Sequence, residues 1–261
     1  MSTDRIPAPA VARASAVLDL LARAGRPVTL AELARTLQLP KSSLHGLCAT
    51  LEQLNLITRL EGGQMTLGPH VMMWANAFMA RLDITQEFFA SWDDMRILPE
   101  ETITLSVRDG AEVVYIACRN GKHPLGLSFH AGMRLPAVYT ATGLAMLSTL
   151  PDSSIRKLFG GTGHAWPEPL TAKGVRDAES LITELQRTRQ RGYSLDHECV
   201  REGMYCYGAP VFDSRHPEAV AGVAVSIRSL EANPALEARA GQAIRKLADR
   251  LSERLGAWQG R

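Results

Sequence analysis

Residues of three kinds could do chemistry in this chain. Lys41, Ser42, Ser43 and His45 cluster at the start of a helical pattern. An ammonium, two hydroxyls and an imidazole at a helix start suit phosphate oxygens and base edges. The same serines could instead merely cap the helix. Further on, Thr140-Ala141-Thr142-Gly143 opens a second helical stretch. Its first amides point outward and can hold a carboxylate, although an ordinary helix start reads the same way. His197-Glu198-Cys199 suggests a metal site or a nucleophile, but adjacent side chains leave a strand or helix in different directions. The sequence contains no GxSxG, P-loop or dinucleotide fingerprint. Its four cysteines, Cys48, Cys118, Cys199 and Cys206, have no CxxC spacing and read as reduced thiols. Binding chemistry is therefore expected, with no enzyme activity, no metal and no cofactor.

The first cluster needs a rigid frame. Residues 11–24 read as a helix with Ala14, Val17, Leu18 and Leu21 inward and Gly25 as its C-cap. Thr29 caps a short helix that turns Leu33, Ala34 and Leu37 inward, and its hydroxyl could also touch phosphate. A turn at Gln38-Leu39-Pro40 leads to a helix over 41–55, with Leu44, Leu47, Cys48, Leu51 and Leu54 on one face. Two short strand-like runs around Gly62-Gly63 predict a hairpin carrying Arg59 and Gln64 near its tip. Helix, turn, helix and hairpin make a winged helix-turn-helix, whose second helix enters the major groove of double-stranded DNA.

Charge agrees with this placement. Residues 1–68 hold seven Lys/Arg against five acids, a net of 7 − 5 = +2. The whole chain carries 29 − 27 = +2, so residues 69–261 sum to zero. The excess is small, so one copy would bind phosphates weakly and a second copy is expected to add affinity. Hydrophobic residues at 46% predict a packed core. No membrane span or signal pattern is present, which places the protein in the cytoplasm.

The expected domains are a flexible arm over 1–10, the DNA-binding domain over 11–68, a linker and dimerisation helix over 69–97, and an effector domain over 98–261. The linker stretch carries Trp74, Phe78, Leu82, Phe88 and Trp92, too many large side chains for one domain face. Its alternative is a core helix of the domain that follows. In that domain, strands are expected over 102–107, 112–117, 125–129, 204–212 and 219–227, and helices over 140–150, 175–191 and 233–258. This order gives an α+β fold with an antiparallel sheet and helices on its faces. On the last strand, Ala224 and Ser226 point to one face.

The motifs VARASAVLDLLA, TLAELARTLQLPKSSLHGLCATLEQLNLI, LGPHVM, VRDGAEVVYIACR, AGMRLPAVYTATGLAMLSTLP, RQRGYSLDHECVREGMYCYGAPVFD and VAGVAVSIRS follow one another across nearly the whole chain. Together they resemble the isocitrate lyase regulator (IclR) family of bacterial transcription factors. The resemblance implies a GAF-like effector domain behind the winged helix. It also implies a homodimer or dimer of dimers on a palindromic operator, and control of a catabolic or metabolic operon by a small organic acid or aromatic effector. It places Asp196 and Cys206 at the effector site beside Thr140, Ala141, Thr142, Gly143, Ala224 and Ser226. Met133, Leu135, Tyr139, Met146 and Tyr205 would form apolar and aromatic walls. The chain departs from the family at Gly46, where a long side chain such as Arg is usual, and at Ala224, which replaces a polar position. The rival reading is a ligand-binding interaction module whose winged helix contacts a protein.

Overall fold

The structure is a computed structural model that describes residues 7–80, 84–95, 98–122, 125, 127–160 and 165–257; the side chains of residues 76 and 78–80 also lie outside the description. The chain divides into two compact units, Met1–Leu82 and Asp83–Arg261.

The first unit is built from α1 (Pro9–Ala24), α2 (Leu30–Leu37), α3 (Lys41–Gln53), the hairpin β1 (Ile57–Arg59) and β2 (Met65–Leu67), and α4 (His70–Ala80). Its core is Val17, Leu21, Val28, Leu33, Leu44, Cys48, Leu51, Leu56, Ile57 and Met65. These positions recur at helical spacing, so three short helices can bury one stripe each. Thr29 and Glu32 form a reciprocal capping box: the Thr29 hydroxyl accepts from the Glu32 amide, and the Glu32 carboxylate accepts from the Thr29 amide. Those contacts with Thr29, together with Arg26, lower the Glu32 pKa to about 2. Leu54 was expected inside but is exposed, because α3 stops at Gln53 and Leu54 is its C-cap. Residues 1–6 of the expected arm lie outside the described residues, and Pro9 and Ala10 already belong to α1.

The expected linker stretch, with its anticipated interruption near Asp83-Ile84-Thr85, is described as helical over His70–Ala80 and again over Ile84–Met95. On α4, Met72, Met73 and Trp74 stand exposed in the lone chain. The second helix, α5 (Ile84–Met95), belongs to the other unit and buries Ile84, Phe88, Ser91 and Trp92. That i, i+4, i+7, i+8 spacing is a one-sided core stripe, so α5 follows the core-helix alternative.

The second unit continues with β3 (Thr102–Asp109), β4 (Glu112–Arg119), β5 (Arg134–Pro136), α6 (Ala141–Leu147), α7 (Asp152–Phe159), α8 (Ala178–Arg191), β6 (Ser194–His197), β7 (Met204–Val211), β8 (Ala221–Arg228) and α9 (Pro234–Arg254). The strands form one antiparallel sheet in the order β5-β4-β3-β8-β7-β6. Among the described residues, no helix is long and apolar enough to cross a membrane.

Among the described residues of 125–129, no strand forms. There, Asn120 bonds both the amide and the carbonyl of Phe129, and the Cys118 thiol donates to the same carbonyl. Side chains thus satisfy the backbone that a ladder would have used. Leu125 and Phe129 enter the core, and the third strand is β5 instead.

One face of the sheet meets α6 at very short range. A Cβ on Gly208 would lie 2.4 Å from the Ala141 carbonyl oxygen, and one on Gly222 2.6 Å from that of Thr142. The Ser194 hydroxyl donates to the Ala141 carbonyl at 2.6 Å. Helix α9 covers the opposite face with Ala240, Gly241, Ala243, Ile244 and Leu247 buried.

Candidate functional site

In the first unit, α3 buries Leu44, Cys48 and Leu51 and exposes Lys41, Ser42, Ser43, His45, Gly46 and Thr50. The N-cap is Pro40, which has no side-chain acceptor for the first amides. Ser42 and Ser43 therefore do not cap the helix. Among the described residues their hydroxyls, the Lys41 ammonium and the His45 ring make no intramolecular hydrogen bond or ion pair. An uncapped helix start beside uncommitted donors is a ready anion site. Thr29 is placed differently, since its hydroxyl is engaged with Glu32.

The wing turns through Gly62 and Gly63, both at positive φ, and leaves Gln64 exposed at the base of the turn. Arg59 is also on the wing, but its Nε donates to the Glu52 carboxylate at 3.2 Å. Reaching DNA would break that pair, so Arg59 is less free than Lys41.

Gly46 lines a cleft of about 370 Å³ with Arg13, Leu39, Ser42, Ser43 and Thr50. A Cβ there would meet nothing within 4 Å. Gly46→Ala should therefore stabilise the winged unit by about 1 kcal/mol, the helix propensity difference alone. Chemical denaturation of the two proteins measures it; a loss of stability would mean that the cleft is not open.

In the second unit the sheet register gathers the expected effector residues. Asp196 pairs with Cys206, and Cys206 pairs with Ser226. Ser226 pairs with Thr102, and Ala224 pairs with both Gly208 and Thr104. Register partners share a face, and so do residues two apart. Asp196, Cys206, Ala224 and Ser226 thus all look toward α6. The Cys206 thiol and Ser226 hydroxyl are 3.1 Å apart.

Tyr205 does not join them. It alternates with Cys206, leaves the opposite face and stacks on His197 at 4.3 Å. The expected pocket role of Tyr205 is therefore corrected. The His197-Glu198-Cys199 run disperses too. Glu198 takes the Gly203 amide, and the Cys199 thiol lies 3.7 Å from the Lys173 carbonyl.

The α6 start is also more committed than expected. Thr140 caps it, accepting from the Gly143 amide at 3.0 Å. Gly143 has its Cα against the Ala137 carbonyl, where a Cβ would lie at 2.2 Å. Neither the Thr140 hydroxyl nor the Gly143 amide is therefore available to a carboxylate. Thr142 remains available, because its buried hydroxyl has no partner.

Of the expected walls, Met146 is buried, while Met133 and Leu135 pack against the core from its edge. Tyr139 is buried, but its hydroxyl donates to the Pro167 carbonyl and accepts from the Trp166 indole.

Several residues on the α6 face escaped the sequence reading, Ser194, Ser106 and Tyr115 among them. Ser194 pins α6, and Ser106 is a buried hydroxyl without a partner. Tyr115 is turned onto this face by the register shift opposite Leu105/Ser106, which pairs it with Ser106.

Asp196 is fully buried. Its Oδ1 accepts from the Cys199 amide at 2.6 Å and the Val200 amide at 3.4 Å, while Oδ2 has no partner. Burial pushes its pKa up to about 7, against the opposing pull of those two amides. Burial likewise raises the Cys206 thiol and the Tyr115 phenol well above their usual values. This arrangement can hold a small polar molecule by hydrogen bonds but supplies no activated nucleophile.

Family models match the two units in turn. The IclR helix-turn-helix domain matches residues 10–61, and the C-terminal domain of the bacterial transcriptional regulator IclR matches residues 76–253. The HTH-type transcriptional regulator XynR of Escherichia coli is 27% identical over 94% of this chain and 96% of its own. The repressor BlcR of Agrobacterium tumefaciens is similar in structure, with a TM-score of 0.61 and 44% identity over 95% of this chain and 97% of its own. An IclR homologue of Microbacterium hydrocarbonoxydans, solved with 4-hydroxybenzoate, shares the fold at a TM-score of 0.80 and 18% identity, over 95% of this chain and all of its own.

Proposed function

The chain belongs to the IclR family of bacterial transcriptional regulators, and from that premise we propose that it reads a palindromic operator as a homodimer or dimer of dimers, under the control of a small organic effector. It is a DNA-binding regulator from a family that is not enzymatic. The proposed reading head is the exposed row of α3, Lys41, Ser42, Ser43, His45 and Gly46, with Gln64 and Arg59 on the wing and Thr29 at the start of α2. The observation that carries it is the set of uncommitted donors on α3, which face solvent beside an uncapped helix start. The exposed Met72, Met73 and Trp74 of α4 support pairing with a second copy, since water-facing apolar side chains gain from burial against another chain. The target is a catabolic or metabolic operon.

The proposed effector site lies between the sheet and α6. Thr142, Asp196, Cys206 and Ser226 supply its polar floor, Ala224 lies beside them, and Met133, Leu135 and Met146 form its walls. Its support is the orphaned polar atoms of Thr142 and Asp196, which in a folded core ordinarily find a partner. An organic acid or aromatic molecule suits this lining, and the 4-hydroxybenzoate complex concerns a protein of the same fold. Binding alters operator affinity only as far as the effector prefers one arrangement of the reading heads.

Salt separates DNA reading from contact with a protein partner. The operator is first selected from random duplex DNA, and its affinity is then measured against salt. Neutralising several phosphates should make log K fall linearly with log salt, with a slope of about −0.9 per phosphate. A slope near zero, or no selected sequence, would favour the protein-interaction reading.

A further inference from the structure

We propose that Asp196 serves the effector site as a neutral hydrogen-bond donor, so that an anionic effector enters together with one proton. This inference rests on the proposed effector site between the sheet and α6.

The donor set carries the argument. Among the described residues, the buried polar atoms on the α6 face without a partner are the Thr142 and Ser106 hydroxyls, Asp196 Oδ2 and, at the end of β8, Arg228 Nε. Beside them lie the Cys206–Ser226 pair and the buried Tyr115 phenol. Apart from Asp196 and Arg228, whose guanidinium already pairs with Glu231, every one of these groups is a neutral O–H or S–H. Such a set suits an acceptor-rich ligand, above all a carboxylate.

No cation adjoins Asp196 in the sheet register, where its partner is Cys206 and then Ser226. On the sheet face, β3 offers Thr102, Thr104 and Ser106, β4 offers Tyr115 and Cys118, and β7 offers Met204, Cys206 and Gly208. Helix α6 contains no charged residue. The bases on neighbouring elements have other partners or look away. Arg228, on this same face at the end of β8 opposite Met204, pairs through its terminal nitrogen with Glu231. Arg191 and Arg187 of α8 pair with Glu184. Lys173 is exposed and reaches Cys199 only through its carbonyl, and Arg201 and Glu202 are exposed on the loop after β6. Glu198 is spent on Gly203. Asp196 accepts the Cys199 and Val200 amides on Oδ1, and the Cys206 and Cys199 thiols also lie against its carboxylate.

An anionic ligand placed against ionised Asp196 would set two carboxylates together in a dry site. Like charges at that range do not both persist, and one takes a proton. Oδ1 already accepts two amides, so the proton belongs on Oδ2, which then donates to the ligand. The burial that raises the Asp196 pKa to about 7 leaves the carboxyl poised to take up that proton near neutrality.

The test is calorimetry on the full-length protein with acetate, butyrate, benzoate and 4-hydroxybenzoate, each beside its primary amide. Titrations in two buffers of different ionisation enthalpy count the protons taken up. At least one acid should bind better than its amide, take up close to one proton at about pH 8, and weaken about tenfold from about pH 6 to about pH 8. Asp196→Asn, which keeps a donor, should retain binding and lose the slope. Flat or rising affinity with pH, amides equal to acids, an Asn variant that keeps the slope, or no binding across the panel would overturn the proposal. The wild-type buffer comparison stands even if the variant does not fold. Operator affinity is measured alongside. Acids that bind with proton uptake yet leave it unchanged would support the proton linkage and overturn the effector reading. Acids that shift it with flat pH dependence would do the reverse.

Discussion

Replacing Lys41 and His45 together by alanine should weaken operator binding by about 100-fold, with the thermal transition of the protein unchanged. The size follows from the contacts available. A phosphate contact and a base-edge contact each contribute on the order of 1–2 kcal/mol, so two lost together give about 3 kcal/mol. Stability should hold because both side chains are exposed, and among the described residues neither bonds another part of the protein. The single variants should differ in kind. Lys41→Ala should weaken all duplexes alike and make the salt slope shallower by about 0.9. His45→Ala should relax preference at one base position and leave the slope alone. Arg59→Ala should cost less than either, because Arg59 already spends its guanidinium on Glu52. Fluorescence anisotropy with the selected operator and single-base variants measures all four proteins. Unchanged affinity and specificity in the double variant would remove α3 from the interface.

The reading head was legible because local rules decide it. A 3.6-residue apolar stripe fixes which side of α3 is buried, and therefore which side carries Lys41, Ser42, Ser43 and His45. A Gly-Gly turn between two short runs fixes the wing. What failed there concerns partners rather than elements. No spacing rule brings Glu52 to Arg59, and the charge pattern does not say which cation is already spent.

The proposed effector site was legible only where alternation along one strand was enough, as for the shared face of Ala224 and Ser226. The same rule was available for Tyr205 and Cys206, whose adjacency puts them on opposite faces, and for Thr102, Thr104 and Ser106, whose polar alternation marks a buried polar face. Tyr115 was hidden for a different reason. Its face depends on a register shift between β3 and β4, which one chain's sequence does not announce. Ser194 was hidden because β6 is only four residues long, too short for a period to show. The linker stretch left two readings open because total apolar content does not say which of two units each turn of helix serves.

The closest contact in the effector unit gives the second large effect: Gly208→Ala should destabilise the protein by about 2 kcal/mol, a small-to-large change with nowhere to go. The added methyl would sit 2.4 Å from the Ala141 carbonyl oxygen and 2.6 Å from the Ser194 hydroxyl. Neither is the free end of a flexible side chain. Ala141 is backbone at the start of α6, and Ser194 is buried and bonded to that same carbonyl. Relief requires α6 to move off the sheet or β7 to bend, and Gly222 beneath Thr142 leaves the helix no other way to settle. Gly46→Ala makes the same chemical change with the opposite expected sign, because one glycine faces open space and the other faces backbone. Chemical denaturation compares the two variants directly. Function should follow the geometry, since Thr142 adjoins the displaced Ala141. Binding of any acid found in the panel should fall in Gly208→Ala, whereas the exposed face of α3 keeps its donors. If Gly208→Ala keeps full stability, β7 is not seated beneath α6 as described, and the row of Asp196, Cys206 and Ser226 loses the helix that closes it.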